Sequence, residues 1–180
     1  VSGAGPGLNT GMTTMRALID HVETAQSIPG VRRPALDQAF WQWFGQSKAV
    51  DDSGQPLVVW HGAKNADMYL DYANKEVVFL PEFEIFNTDH RTEPGIYFSP
   101  SRQVAEHYGT PCPFYLKVET PICMEEPLQR QPEGHDSIYR MRSSLTGLSR
   151  AWEIAVFRPE QIKSVYNEGT WSPHDPRFMK

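Results

Sequence analysis

The chain has 180 residues, 39% of them hydrophobic and 22% charged, with 15 prolines and a formal net charge of −5. This length suits one domain that buries its own core, and the proline content favours a loop-rich α+β protein over a helical bundle. The acidic balance argues against a nucleic-acid binder held by a global positive field, and no apolar run reaches the roughly 18 residues of a membrane helix, so we expect a soluble protein with no membrane partner.

The first part of the chain combines a linker with helices. Residues 1–11, VSGAGPGLNTG, have the composition of a flexible linker. Residues 12–46 are predicted to form an N-terminal helical segment, because apolar residues recur at helical spacing on both sides of the break PGVRRP. The second helix lies in ALDQAFWQWFGQS and is expected to end at Gly45. Residues 47–170 are predicted to form the core domain, and residues 171–180 a polar tail.

Strands dominate the core domain. LVVWHG is nearly all apolar and predicts a strand buried on both faces, and GIYFS predicts a second strand. SPSRQVAEHYG supplies a serine cap, a proline near the first turn and a glycine stop for a helix. PFYLKVE predicts a strand with one solvated face, and DSIYRM, EIAVF and IKSVYN predict three more strands. Residues 68–94 are expected to form a long ordered loop and residues 120–135 an irregular excursion. Predicted strands outnumber helices in the second half of the chain and helices gather in the first, which indicates an α+β fold with a mostly antiparallel sheet.

Neither the cysteines nor the histidines indicate a metal site. Cys112 and Cys123 have no CxxC spacing and no clustered histidines beside them, and two free thiols are favoured over a disulfide. The six histidines form no HxxxH or HxH pair, so no metal is expected.

Three motifs occur in a fixed order along the core domain. A strand ends in His61-Gly62, the strand GIYFS leads through a helix to Tyr108, and a late strand, EIAVFRPEQIKS, begins at Glu153. Together they resemble the His-Tyr-Glu class of ADP-ribosyltransferases, which comprises the diphtheria-toxin-like and the poly(ADP-ribose)-polymerase-like enzymes. The lead-in from Trp43 to Gly62 is most similar to the small transferase domains of phage and mobile-element polyproteins and of bacterial toxins. The resemblance covers about residues 36–167 and implies a split antiparallel β-sheet core with N-terminal helices.

The resemblance implies that NAD is the substrate and that the bond between nicotinamide and its ribose is broken. This cleavage develops an oxocarbenium-like cation on the ribose, so the site needs a carboxylate and a slot for the flat ring. Tyr97 and Tyr108 are expected to sandwich the nicotinamide, and Glu153 to bind the ribose hydroxyls and stabilise the cation.

The remaining contacts to NAD are implied in the same way. His61 is expected to bond the adenosine ribose, and Gly62 the nicotinamide carboxamide through its backbone, where a side chain would obstruct close approach. Ser99 is a further candidate for binding NAD. The implied catalytic residues are Glu153, His61 and Tyr97.

Departures from the family pattern bear on the acceptor of ADP-ribose. Ala63 stands where the family commonly has serine or threonine, and Ala105 stands where the polymerase-like members often have serine, which favours mono-ADP-ribosylation over polymer formation. Ala151 stands where the arginine-modifying members have glutamate or glutamine, so arginine is disfavoured as the acceptor.

The segment RSSLTGLSRAW is expected to lie at the mouth of the site, in contact with the acceptor. The candidate acceptor-binding residues are Arg140, Arg142, Arg150 and Trp152. Arginines there could meet an anionic acceptor such as RNA, and a protein side chain is the alternative acceptor.

The sequence thus predicts a mono-ADP-ribosyltransferase that acts as a bacterial toxin or effector domain. We expect it in the cytoplasm of the producing or the target cell, or secreted or injected as part of a longer polypeptide, with a cognate immunity protein as a further partner. Two alternatives use the same features. One is an NAD glycohydrolase, which gives the ribose to water, and the other is a catalytically silent module that binds ADP-ribose or a partner.

Overall fold

The computed structural model describes residues 38–63, 94–143, 150–167 and 171–176. The described helices are α1 (Gln38–Phe44), α2 (Arg102–Glu106) and a 3-10 turn, Pro159–Gln161. The described strands are β1 (Val59–Ala63), β2 (Ile96–Phe98), β3 (Thr110–Leu116), β4 (Pro121–Cys123), β5 (Ser137–Ser143), β6 (Arg150–Val156) and β7 (Ile162–Ser164). Neither described helix is long and apolar enough to cross a membrane. The predicted linker, the first predicted helix and nearly all of the predicted long loop lie outside the described residues.

The described strands form two sheets. The first has the order β1-β3-β7 and is antiparallel throughout. The second has the order β2-β6-β5-β4 and is antiparallel except for the pair β4 and β5. The predicted α+β class with a split, mostly antiparallel core is therefore confirmed. Strand β4 lies in the segment that was expected to be irregular. It was not predicted because three residues carry too short a pattern to indicate a strand.

An isolated backbone bridge between Trp60 and Ser99 joins the two sheets. The amide of Trp60 donates to the carbonyl of Ser99 at 2.7 Å, and the amide of Ser99 donates back to the carbonyl of Trp60 at 2.9 Å. The bridge is isolated, which means that the backbone pairing between the two sheets does not extend to the residues on either side of it. The junction places Trp60, near the start of β1, beside Ser99, which follows β2.

The main hydrophobic core contains residues of both sheets. Its members include Val59, Phe98, Phe114, Leu116 and Ile154, which are at most 2% exposed. Strand β1 is buried on both faces, as its apolar sequence predicts, since Val59 packs into this core and Trp60 packs into a second cluster.

The second cluster is aromatic and covers the other face of the first sheet. Helix α1 contributes Phe40, whose ring lies 5.3 Å from that of Tyr115 in β3 and 4.8 Å from that of Trp171. Because Tyr115 is only 2% exposed, the prediction of a solvated face on this strand is wrong. Gly45 ends α1 as expected, with a φ of 56° that favours glycine.

Both cysteines are free, as predicted. Cys112 is buried in β3, and Cys123 is exposed at the end of β4. Burial raises the pKa of the Cys112 thiol to about 11, so this thiol is protonated at neutral pH.

Candidate functional site

His61 lies at the junction of the two sheets. Its Nδ1 is 2.8 Å from the carbonyl oxygen of Tyr97 on β2. A carbonyl oxygen only accepts hydrogen bonds, so this contact assigns the Nδ1 proton to His61 and leaves Nε2 as the acceptor of the neutral ring. The ring is 9% exposed and lies 5.5 Å from that of Phe98. The bridge between Trp60 and Ser99 therefore brings the expected histidine and tyrosine together.

Gly62 is enclosed by the end of helix α2. A Cβ atom at this position would collide with the carbonyl oxygen of Ala105 and would lie 2.8 Å from the Cβ of Tyr108. The strand end and Tyr108 can pack this closely only because residue 62 has no side chain. Tyr108 follows α2 and is 43% exposed, so it extends from this contact towards solvent. Gly62 and Tyr108, which were each expected to contact the nicotinamide part of NAD, are thus adjacent in the fold.

Tyr97 and Glu153 share one face of the second sheet. Tyr97 is the partner of Ala155 in the ladder between β2 and β6, and Glu153 is two residues from Ala155. Side chains two residues apart on a strand point to the same face. The Tyr97 hydroxyl donates to the carbonyl of Pro94 at 3.3 Å, which fixes the end of the phenol ring.

Arg140 lies between Tyr97 and Glu153. It is the direct partner of Glu153 in the ladder between β5 and β6, and its Nε donates to Oε2 of Glu153 at 3.0 Å. The two side chains are 3% and 10% exposed, so this is a buried ion pair. The Cζ of Arg140 also lies 5.1 Å from the centre of the Tyr97 ring, in cation–π contact.

Ser99 holds three parts of the site together. Its hydroxyl donates to the carbonyl of Trp152 on β6 at 3.0 Å and accepts the amide of Ser101, which precedes α2, at 3.1 Å. The side chain therefore connects the end of β2 to β6 and to the helix that leads to Tyr108. Because the hydroxyl proton of Ser99 is donated to the carbonyl of Trp152, Ser99 could bind a ligand only as a hydrogen-bond acceptor.

Two of the four residues that were expected to contact the acceptor are buried or partly buried, and the side chains of the other two are not described. Arg140 is 3% exposed and directed at Glu153, which does not fit a contact with a macromolecule. Trp152 is partly buried and packs against the main core. The strands extend further than predicted, so that Arg142 pairs with Ala151, and Arg150 pairs with Ser143. The side chains of Arg142 and Arg150 and all of residues 144–149 lie outside the part of the chain that the structure describes.

The expected residues are linked by a continuous series of contacts. Gly62 meets Tyr108, its neighbour His61 meets Tyr97, and Arg140 joins Tyr97 to Glu153. The pairing of Arg140 with Glu153 was not predicted from the sequence. Its signal was the order of DSIYRM and EIAVF, two successive strands that can form a hairpin, but a hairpin fixes which residues are partners only once its turn is known.

The described residues contain no group of three or more side chains that could hold a metal ion. A scan against models of known protein families found no family that matches this chain, and a search of the curated proteins found no relative. The resemblance to ADP-ribosyltransferases therefore depends on the three sequence motifs and on their order.

Proposed function

We propose that the protein is an NAD-dependent mono-ADP-ribosyltransferase, which cleaves NAD between nicotinamide and ribose and transfers ADP-ribose to a macromolecular acceptor. The observation that carries the proposal is the series of contacts from Tyr108 through Gly62, His61 and Tyr97 to Glu153. These residues come from four separate elements of the sequence, and the junction of the two sheets supplies the reason why they meet.

The chemistry of these groups fits the two ends of the bond to be broken. Aromatic faces bind a flat pyridine ring through dispersion and stacking, and the backbone of Gly62 can form hydrogen bonds with a carboxamide. A carboxylate in a largely buried position stabilises a developing cation more strongly than one in water. Glu153, at 8% exposure, is such a carboxylate.

The acceptor we propose is a macromolecule other than an arginine side chain, either RNA or a protein. In keeping with the resemblance, the domain would act as a bacterial toxin or effector, in the cytoplasm of the producing or target cell or after secretion or injection, with a cognate immunity protein as partner. Transfer to water instead would make the protein an NAD glycohydrolase with the same site for NAD.

One observation favours a second candidate, a catalytically silent module that binds ADP-ribose. The guanidinium of Arg140 compensates the negative charge of Glu153, at an N–O distance of 3.0 Å. A compensated acid stabilises a cation less than an isolated acid does. The activity of the wild-type protein decides between the two candidates.

The test uses NAD labelled on its adenylate phosphate, together with measurement of released nicotinamide. The protein is incubated with cell lysate, and the products are treated with protease or with nuclease before the macromolecules are collected. Retained label that nuclease removes identifies a nucleic-acid acceptor, and retained label that protease removes identifies a protein. Nicotinamide release without retained label indicates the glycohydrolase, and no release with any lysate indicates the silent module.

The variant Glu153→Gln ties the activity to the site, because it removes the charge and keeps the size of the side chain. We expect nicotinamide release to fall by about 100-fold or more, as for the loss of other groups that stabilise a transition state. Glu126→Gln changes an exposed acid in the segment after β4 and is the matched control, with wild-type activity expected. Equal activity of both variants would contradict the role of Glu153.

A further inference from the structure

The ion pair between Arg140 and Glu153 carries an unfavourable free energy of desolvation, because both side chains are buried. Two charges lose favourable interactions with water when they are buried, and apolar side chains of similar volume often stabilise a protein as well or better. The opposite face of β6 is apolar, and its residues Ile154 and Val156 are fully buried. Stability alone therefore gives a weak reason for a charged pair at this position.

The geometry of the pair restricts the carboxylate more than an ordinary ion pair does. Arg140 and Glu153 are direct partners on two adjacent antiparallel strands, so both backbones are fixed by the ladder. The bond uses Nε, which lies within the side chain rather than at its tip, and this leaves the arginine little freedom to move while the bond is kept. The same guanidinium is held at 5.1 Å from the centre of the Tyr97 ring.

We propose that Arg140 is a positioning residue, which holds the Glu153 carboxylate and the Tyr97 ring in a fixed relation to each other. The inference rests on the proposed function, in which the ring contacts nicotinamide and the carboxylate contacts the attached ribose. These two groups of NAD are joined by the bond that breaks, so the distance between their binding residues determines whether that bond is correctly held. A misplacement of about 1 Å in such a site can cost 100-fold in rate.

The test measures kcat and KM for NAD in nicotinamide release by wild type, Arg140→Ala and Arg140→Lys. We expect kcat to fall by about 100-fold in Arg140→Ala, because the carboxylate loses its orientation. Arg140→Lys keeps the charge but cannot form the same bond through Nε, so we expect its kcat to fall by at least tenfold. Arg130→Ala removes an exposed arginine and serves as the control, with wild-type kcat.

Chemical rescue distinguishes positioning from a merely structural role. The alanine variant leaves space beside Glu153, and free guanidinium at millimolar concentration should restore part of the lost kcat in a saturable way. Methylammonium at the same ionic strength carries the same charge without the planar fork, and it should restore less. A loss of kcat that both cations restore equally, or that neither restores, would overturn the inference.

A second readout does not depend on activity. Urea unfolding of Arg140→Ala, Glu153→Gln and the double variant forms a double-mutant cycle, and we expect a favourable coupling between the two side chains. If Arg140→Ala does not fold, Arg140→Lys decides the matter, and wild-type kcat in that variant overturns the inference. A wild-type protein that releases no nicotinamide defeats the proposed function and the inference with it, whereas an active wild type with an unaffected, folded Arg140→Ala defeats the inference alone.

Discussion

At the scale of single residues, the candidate site depends on side chains whose surroundings leave little room for change. Gly62 is an example of a residue required for space, since a Cβ atom there meets the end of α2. Cys112 is an example of a residue altered by burial, because its thiol is 3% exposed in β3. Each of these environments leads to a measurable consequence.

Replacement of Gly62 by alanine is expected to displace the end of α2, and Tyr108 with it. Overpacking of this kind costs about 1–3 kcal/mol of stability. Under the proposed function, it should also raise KM for NAD, because the displaced Tyr108 no longer faces the other aromatic wall. Gly54→Ala is the control, since nothing lies within 4 Å of its Cβ position but its φ is +74°. That variant should lose about 1 kcal/mol or more through backbone strain and keep its KM. Equal KM values for both variants would contradict the expected role of the contact with Tyr108.

The thiol of Cys112 is expected to make stability fall with pH in the alkaline range. Burial raises its pKa from 9.0 to about 11. Between these two values the unfolded chain loses the proton while the folded chain keeps it, so the free energy of unfolding decreases as the pH rises. The loss should amount to about 1–2 kcal/mol, after allowance for partial screening by solvent.

Urea unfolding of wild type and Cys112→Ala at several pH values checks this prediction. The cavity in the variant lowers stability by an amount that does not vary with pH, so the two curves should converge between pH 9 and pH 11. Burial also raises the pKa values of Tyr139 and Tyr166, and this effect is present in both proteins. The charge of the Cys112 thiolate adds to the raised pKa of Tyr166 only in wild type, so its contribution belongs to the difference between the curves. Parallel curves would show that Cys112 does not titrate as expected.

At the scale of secondary-structure elements, the sequence predicted the strands that have a strong apolar pattern and missed the relations between them. Observed strands overlap LVVWHG, GIYFS and EIAVF, because the runs of apolar and aromatic residues in these segments are long enough to indicate burial. Strand β4 was missed because it has three residues, and β3 was given a solvated face because the aromatic cover supplied by α1 comes from a distant part of the chain. The contact between His61 and Tyr97 depends on the bridge between the sheets, and the pairing of Arg140 with Glu153 depends on the register of β5 and β6. Neither the bridge nor the register can be read from a single sequence.

The 3-10 turn before β7 shows how one side chain can connect several elements. Gln161 is 2% exposed, and its Nε2 donates to the carbonyls of Lys117 and Asp136, both at 3.0 Å. Its Oε1 accepts the amides of Phe157 and Arg158, at 3.2 and 3.0 Å. Lys117 follows β3 of the first sheet and Asp136 precedes β5 of the second, so this side chain links the two sheets in addition to the bridge between Trp60 and Ser99.

Replacement of Gln161 by alanine should therefore lower the free energy of unfolding more than the replacement of most uncharged residues does. It leaves four backbone groups without their partner. These hydrogen bonds are only partly buried and Arg158 is exposed, so water replaces part of what is lost, and we expect a total loss of about 2–3 kcal/mol. The free energy of unfolding in urea measures this loss. Gln129→Ala, at an exposed position, is the control and should change stability by less than about 0.5 kcal/mol. A loss below about 1 kcal/mol in Gln161→Ala would contradict the proposed link.

At the scale of the whole molecule, the candidate site depends on both sheets at once. His61 and Gly62 belong to the first sheet, and Tyr97, Arg140 and Glu153 belong to the second. The sheets share one hydrophobic core, one isolated bridge and the contacts of Gln161. If they opened separately, the site would be lost without global unfolding. Because the core is shared, we expect them to unfold as one unit.

Native-state hydrogen exchange tests this expectation at the bridge itself. The amides of Trp60 and Ser99 each donate across the junction, so they exchange only when the two sheets part there. In a single cooperative unit, their free energies of exchange should equal those of the amides in the ladder between β5 and β6, and should fall with urea at the same slope as global unfolding. The amide of Gly54 donates within an exposed turn and should exchange through local opening, with little dependence on urea. Exchange of Trp60 and Ser99 at a lower free energy than the β5–β6 ladder would mean that the sheets separate first, and that the relation between His61 and Glu153 is maintained by something other than the shared core, such as a bound ligand.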